Sequence, residues 1–431
     1  MIAQGQSPDL PSSEDRNTPV PFWRELFNRK TLAYLGPAYL VSVGYMDPGN
    51  WGTDLEGGAR FGYSLLWVIL LSNVMAIFLQ SLSAKLGIVT GRTLPQHCRD
   101  HYSRPAALFL WITAELAAMA TDLAEFLGGA LGLYLLFGIP LFPAALVTGA
   151  VVMGTLGVYR FGYRAVEYVI LGYVTIIGLA YVYEVYLADP DWSLILYHTV
   201  VPTVNSDNIV VAVGILGATV MPHNIYLHSG LVQSRLMNPA LGGPNKNHRH
   251  IRFALVDSFL ALNMAWLVNS AILIMAAAVF HRHGYGVVSI EQAHETLGPL
   301  LGGFASLAFA VALLCSGLAS STTATLAGQI ILEGFLRVQV PLWLRRLVTM
   351  IPALVVIWLG LDPLRILVLS QVALSLQLPF AIIPLIHFTR RRDIMGSYAN
   401  SPLINALAYA IAGMILILNG LLLYQILGGT F

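Results

Sequence analysis

The sequence predicts an all-α polytopic membrane protein, with two inverted five-helix repeats followed by an eleventh helix. Three observations carry this reading: a composition suited to lipid, eleven apolar segments, and a break in the middle of the first and the sixth. Of the 431 residues 57% are hydrophobic and 10% charged, and the mean hydropathy is +0.71. A soluble globular chain carries about 25% charged residues. Each spanning helix takes roughly 20 apolar residues, so the length admits a dozen or so helices and no sizeable soluble domain beside them.

Within a tail over residues 1–30, the first 20 residues are polar, with Pro8, Pro11, Ser12 and Ser13, and lack the basic start and apolar core of a signal peptide. They read as a cytoplasmic tail. Apolar segments follow over residues 32–55, 64–89, 106–136, 140–158 and 165–187, which makes a first repeat over 31–190. Residues 189–208 form a polar stretch. Six more segments cover 209–234, 253–280, 299–335, 343–360, 364–388 and 403–427, so the second repeat occupies 205–390 and helix eleven lies within 400–431.

Lysine and arginine orient the chain, because positive charge stays on the cytoplasmic side. With the N-terminus inside, only Arg60, Arg282 and Arg365 of the 23 basic residues fall outside. An odd number of spans then leaves the C-terminus outside, and the expected location is the inner (plasma) membrane. Two cysteines, Cys98 in a polar loop and Cys315 in an apolar run, support neither a disulfide framework nor a thiolate metal site. The net charge of +1 gives no reason to expect nucleic acid as a partner.

Both broken segments open a five-helix block, and an odd number of spans per block turns the second copy upside down. That is the pattern of transporters that bind their substrate at the bilayer midplane. In the first segment Asp47 follows the apolar residues 38–46. A charge there costs at least ~2.5 kcal/mol and marks function by default. Pro48 has no N–H and Gly49 tolerates unusual dihedrals, so the helix can unwind and turn its carbonyls toward a ligand. Asn50, three residues on, brings its amide oxygen to the side of Asp47. In Ala218-Thr219-Val220-Met221-Pro222-His223-Asn224, Pro222 cannot donate to the Ala218 carbonyl, and Met221 stands three residues further along the same face. A carboxylate, an amide oxygen, a carbonyl and a thioether make a mixed hard and soft site. Oxygen alone would suit Mg²⁺ or Ca²⁺, whereas a thioether adds affinity for softer ions.

The third segment carries Glu115, Asp122 and Glu125 at spacings of seven and three, hence on one face. Such a stripe in lipid needs partners or protons. His223 titrates near neutrality and could pass a proton or only hydrogen-bond a neighbouring helix. His228 is a weaker candidate, and His281, His283 and His294 read as solvated loop residues.

The two breaks, Tyr45-Met46-Asp47-Pro48-Gly49-Asn50 and Met221-Pro222-His223-Asn224-Ile225-Tyr226-Leu227-His228-Ser229, resemble those of the Nramp family of divalent-metal transporters. So do Met119-Ala120-Thr121-Asp122-Leu123-Ala124-Glu125-Phe126, Leu342-Trp343-Leu344-Arg345-Arg346 and Ser370-Gln371-Val372, with coverage from about residue 31 to the C-terminus. The resemblance implies the LeuT-type fold and import of Mn²⁺ or Fe²⁺, and also Cd²⁺, coupled to protons by alternating access. It implies metal ligands at Asp47, Asn50, Met221 and the Ala218 carbonyl, with Gln371 joining in some conformations. It further implies that Arg345 and Arg346 complete a buried ion-pair chain with the third-helix acids, a proton relay or else a structural lock.

The expected partners are divalent metal ions, protons and the lipid bilayer, with no resident cofactor and no obligate protein partner. A Na⁺-coupled amino-acid carrier on the same fold would gain nothing from a paired carboxylate and thioether. An intramembrane metalloprotease would need His-Glu-x-x-His, and His294-Glu295 lacks the second histidine.

Overall fold

The computed structural model describes residues 36–426 apart from 204, 206, 237–245 and 286–288. The expected tail and the start of segment one lie outside them. Among the described residues the chain is helical, with no strand.

The first segment is split into α1 (Pro37–Val43) and α2 (Pro48–Phe61), which is followed by α3 (Leu66–Thr90), a short α4 (Leu94–His101) and α5 (Arg104–Phe137). Next come α6 (Leu141–Gly157), α7 (Tyr163–Ala188) and α8 (Trp192–Val200). The sixth segment is split into α9 (Ile209–Thr219) and α10 (Pro222–Leu231), and α11 (Gln233–Leu236) follows it. The remainder is α12 (Lys246–Ala276), α13 (Ile290–Leu301), α14 (Gly303–Leu336), α15 (Leu342–Trp358), α16 (Pro363–Arg390), α17 (Arg392–Met395) and α18 (Pro402–Ile426).

Among the described residues eight stretches are long and apolar enough to cross a membrane unaided. The other three expected spans fall short for visible reasons. The first and sixth are each interrupted at a proline, and α15 has 17 residues.

Four expectations need correction. The polar stretch 189–208 contains α8, because the Asp191 side chain accepts the N–H groups of Ser193 (2.9 Å) and Leu194 (3.2 Å) and starts a helix. Segment eight begins at Gly303, since Gly302 at φ +100° ends α13, whose N-terminus Ser289 caps. His294 and Glu295 therefore lie on a helix, and His294 meets Ser306 Oγ at 3.1 Å, so it is not a free loop residue. Cys98 sits fully buried in α4, which a Thr93–Gln96 capping box secures.

The longest helices, α5 and α14 at 34 residues each, pack along one another. Close approach is needed there: a Cβ on Gly317 would fall 2.7 Å from Gly129 Cα. Small residues at such contacts let backbones meet in lipid. The halves α1 and α2 wedge among α7, α12, α14 and α16 in the core. Large apolar side chains such as Leu116, Leu179, Ile351 and Ile417 are exposed, as lipid contact requires.

Candidate metal site and the acids beside it

At the first break Asp47 is extended (φ −72°, ψ 162°) and caps α2, its Oδ1 accepting the Asn50 N–H at 2.9 Å. Pro48 occupies the first helical position, where no N–H is needed. From α16, Gln371 Nε2 donates to Asp47 Oδ2 at 3.2 Å. The carboxylate is fully buried, and among the described residues no Lys, Arg or His forms an ion pair with it.

The carbonyls freed by this break are not open to a ligand, contrary to the sequence expectation. Tyr45 O accepts Asn50 Nδ2 (3.0 Å) and Asn269 Nδ2 (2.7 Å), while Met46 O accepts Trp51 Nε1 (3.3 Å) and Ser316 Oγ (2.5 Å). Buried carbonyls seldom go unpaired, and here neighbouring side chains supply the donors.

At the second break Met221 is extended (φ −92°, ψ 126°), wholly buried, and precedes Pro222 at the start of α10. No side chain caps that helix. Asn224 lies against the first segment, since a Cβ on Gly44 would run into its amide. Several buried polar atoms here have no partner among the described residues: Asn50 Oδ1, Gln371 Oε1, Asn269 Oδ1, His223 Nε2 and both amide atoms of Asn224. Each such atom costs about 1–3 kcal/mol in a dry interior. All but the Asn224 nitrogen can offer a lone pair. Among the described residues no three His, Cys, Asp or Glu side chains come together. The donors that do converge are one carboxylate and neutral amides, with a thioether at the neighbouring break.

Helix α5 touches both breaks with one face. Thr121 Oγ1 meets His223 Nδ1 at 3.2 Å, and a Cβ on Gly128 would run into the Pro48 ring. Glu125 lies between them, four residues past Thr121 and three before Gly128. Thr121 already donates to Ala117 O (3.0 Å), so its oxygen accepts from His223 Nδ1, which leaves Nε2 bare. Of the acids on this helix, Asp122 pairs with Arg346 at 2.8 Å and Glu115 with Arg345 at 2.8 Å. Arg346 is fully buried, also reaches Ser321 Oγ at 3.2 Å, and lies over the Phe126 ring at 5.1 Å. Glu125 is fully buried and neither oxygen has a partner among the described residues.

The model of the Nramp family, described as natural resistance-associated macrophage protein-like, matches residues 38–425. The chain belongs to the Nramp family. Nramp members are transporters, not enzymes. The chain is 53% identical over 402 residues to a divalent metal cation transporter MntH from Caldanaerobacter subterraneus, with 93% of this chain and 95% of the relative covered. Among solved structures it is similar to a manganese transporter from Eremococcus coleocola (TM-score 0.84, 36% identity, 93% and 87% covered). It also shares its fold with Mhp1, a nucleobase-cation-symport-1 family transporter, at TM-score 0.61 and 16% identity (90% and 89% covered). That likeness accords with the LeuT-type architecture expected from an Nramp sequence.

In this Nramp chain the structure shows links that spacing could not reveal, one of them through Gln80, which the sequence did not single out. Tyr45 OH accepts from Gln80 Nε2 at 2.8 Å, and Gln80 Oε1 meets His228 Nδ1 at 3.0 Å, which ties the first, second and sixth segments together. Asn224 and Asn269 were equally overlooked. A lone amide in an apolar run was the available signal for Asn269.

Proposed function

We propose that the protein is a proton-coupled secondary transporter that imports divalent transition-metal ions, Mn²⁺ and Fe²⁺ and also Cd²⁺, by alternating access. The observation that carries this reading is the Asp47 carboxylate, sealed in the core beside Asn50 and Gln371 oxygens that have no donors. Asp47, Asn50, Gln371, the Ala218 carbonyl and the Met221 sulfur act as the ligands. One formal negative charge then meets a divalent ion in a site with a soft donor, which favours Mn²⁺, Fe²⁺ and Cd²⁺ over Mg²⁺ and Ca²⁺.

A metal arriving at Asp47 displaces any proton held there. That proton passes to the acids of α5, Glu125 and Asp122 first and Glu115 next, with Arg345 and Arg346 balancing their charge and His223 at the junction with the second break. The basic residues support insertion in the cell's inner membrane, with the N-terminal tail of residues 1–30 in the cytoplasm and the C-terminus outside. Residues 31–190 and 205–390 act as the inverted repeats, with 400–431 as an added helix. The metal is cargo, and the protein needs no resident cofactor or protein partner.

Reconstitution in liposomes tests this. Mn²⁺, Fe²⁺ and Cd²⁺ should enter in a saturable manner, faster under an inward proton gradient, while Mg²⁺ and Ca²⁺ do not. Metal entry that never saturates would indicate a pore, and Na⁺-dependent amino-acid uptake without metal uptake would refute the reading.

A further inference from the structure

Three buried groups on α2 and α7 have no part in the site described above. Glu184 is 0% exposed, and neither carboxylate oxygen has a partner among the described residues. Tyr181, one turn earlier, is 1% exposed and its hydroxyl is likewise without a partner, while Asp54 is 2% exposed with Oδ2 unpartnered. The charges bearing on the Tyr181 hydroxyl are those of Glu184 and Asp54, and the charge bearing on Asp54 is that of Asp47. No cation is among them. A carboxyl group in such a place is tolerable with a proton on it or with a cation brought to it.

The geometry favours the proton. Trp51 packs against Tyr181 (5.0 Å, 69°) and Phe309 (5.5 Å), so aromatic rings fill the space that a hydrated metal ion would need. Among the described residues no acid or histidine cluster there could hold a metal. A proton relayed between carboxyl and hydroxyl oxygens through single waters needs far less space than a hydrated ion.

The groups are also ordered along the two helices. A cavity of about 660 Å³ is lined by Phe61, the last residue of α2, and Asp189, the first beyond α7. Glu184 lies five residues, roughly 7.5 Å of helix rise, inside that mouth. Tyr181 is three residues deeper on the same face, against Trp51. Asp54 lies three residues from Trp51 on the mouth side and Asp47 four residues away on the other. Midway between the two acids Asn50 presents its unpartnered oxygen, to which a bridging water can bond.

We propose that Glu184, Tyr181 and Asp54 form the route by which protons reach Asp47 from the outer face, separate from the path of the metal. The inference rests on the proton coupling proposed above. Water reaching inward from the cavity, whose lining ends at Asp189, protonates Glu184. Among the described residues no hydrogen bond joins Glu184, the Tyr181 hydroxyl and Asp54, so single bridging waters carry the steps: Glu184 gives its proton through one to the Tyr181 oxygen as the Tyr181 O–H proton passes through another to Asp54. Asp54 then hands a proton through water to Asp47, so each group ends as it began.

The test uses proteoliposomes with a pH-sensitive dye inside and an acidic exterior, together with Mn²⁺ titration calorimetry on the purified protein. Glu184→Gln and Tyr181→Phe should each cut Mn²⁺-stimulated proton entry about tenfold or more, with the Mn²⁺ Kd within about twofold of wild type. Mn²⁺ counterflow at equal pH should persist. If Glu184→Gln fails to fold, Tyr181→Phe decides, because it removes one oxygen and keeps the packing against Trp51. Wild-type proton entry in a well-folded Tyr181→Phe overturns the route, as does a parallel loss of Kd and proton entry, which would mean a structural role. A wild-type protein that shows no metal-stimulated proton entry overturns the coupling itself and the route with it.

Discussion

Replacing Gly49 by alanine adds one methyl group at the point where the first break meets α16. That methyl would stand 2.5 Å from Gln371 Cδ, closer still to its Nε2, and 3.0 Å from Asp47 Oδ2. Carbon contacts are favourable at about 3.5–4.0 Å, so the Gln371 amide, whose Nε2 comes nearest, must retreat by roughly 2 Å. Its hydrogen bond to Asp47, already 3.2 Å long, is then lost. A hydrogen bond to a charged group contributes about 1.5–3 kcal/mol, which is roughly ten- to a hundredfold in Mn²⁺ affinity at about 1.4 kcal/mol per tenfold. Folding should survive, since alanine suits a helix better than glycine by up to about 1 kcal/mol. Titration calorimetry on Gly49→Ala, Gln371→Ala and the double variant reads the effect. If the loss runs through Gln371, the double variant is no weaker than Gln371→Ala alone. Losses that simply add, or a Gly49→Ala protein with wild-type affinity, would refute the reasoning.

Other substitutions separate the remaining roles. Asp47→Ala removes the one formal charge at the break and should reduce Mn²⁺ uptake to background in a correctly inserted protein, measured by flux into liposomes. Met221→Ala should weaken Cd²⁺ binding more than Mn²⁺ and let Ca²⁺ or Mg²⁺ compete better, and an unchanged competition profile would count against a selectivity role. Asp122→Asn leaves Arg346 buried without its carboxylate and should cost about 3–5 kcal/mol of stability. Glu115→Gln should cost less than that, since Glu115 is 19% exposed and water can reach the pair with Arg345. Chemical unfolding compares the two. The Asp122 variant should still bind Mn²⁺ yet lose most metal-stimulated proton entry; full proton flux there would reduce the α5 acids to a structural lock.

The fold was largely legible because lipid leaves few options: apolar length, proline interruptions and the placement of basic residues each mark a span. The breaks at Asp47-Pro48 and Met221-Pro222 were visible for the same reason. The partner of each group there was not. Sequence offers no way to know that Asn269 and Ser316, far along the chain, take the carbonyls of Tyr45 and Met46. Nor could spacing reveal that Glu125 has no partner among the described residues while Asp122 and Glu115 find arginines, because the three share a face and differ only in what stands opposite. The helix within residues 189–208 was missed although Asp191 and Ser193 form a capping signal. Its neighbours looked polar enough for a loop.

The two breaks differ in stiffness, and this bears on how ions of different size are accommodated. Four side-chain donors from α2, α12 and α14 fasten the carbonyls of Tyr45 and Met46. At about 1 kcal/mol each, releasing all four together would cost about 4 kcal/mol. The second break has no side-chain cap on α10, and its last backbone bond, from Val220 N to Leu216 O, is stretched to 3.5 Å. The interruption nearest the carboxylate is thus a rigid mount, whereas the one carrying the thioether is compliant. On the proposed ligand set, a larger ion entering between them would be accommodated by movement of Met221, so the distance to sulfur would vary with ionic radius while Asp47 served as the fixed reference point.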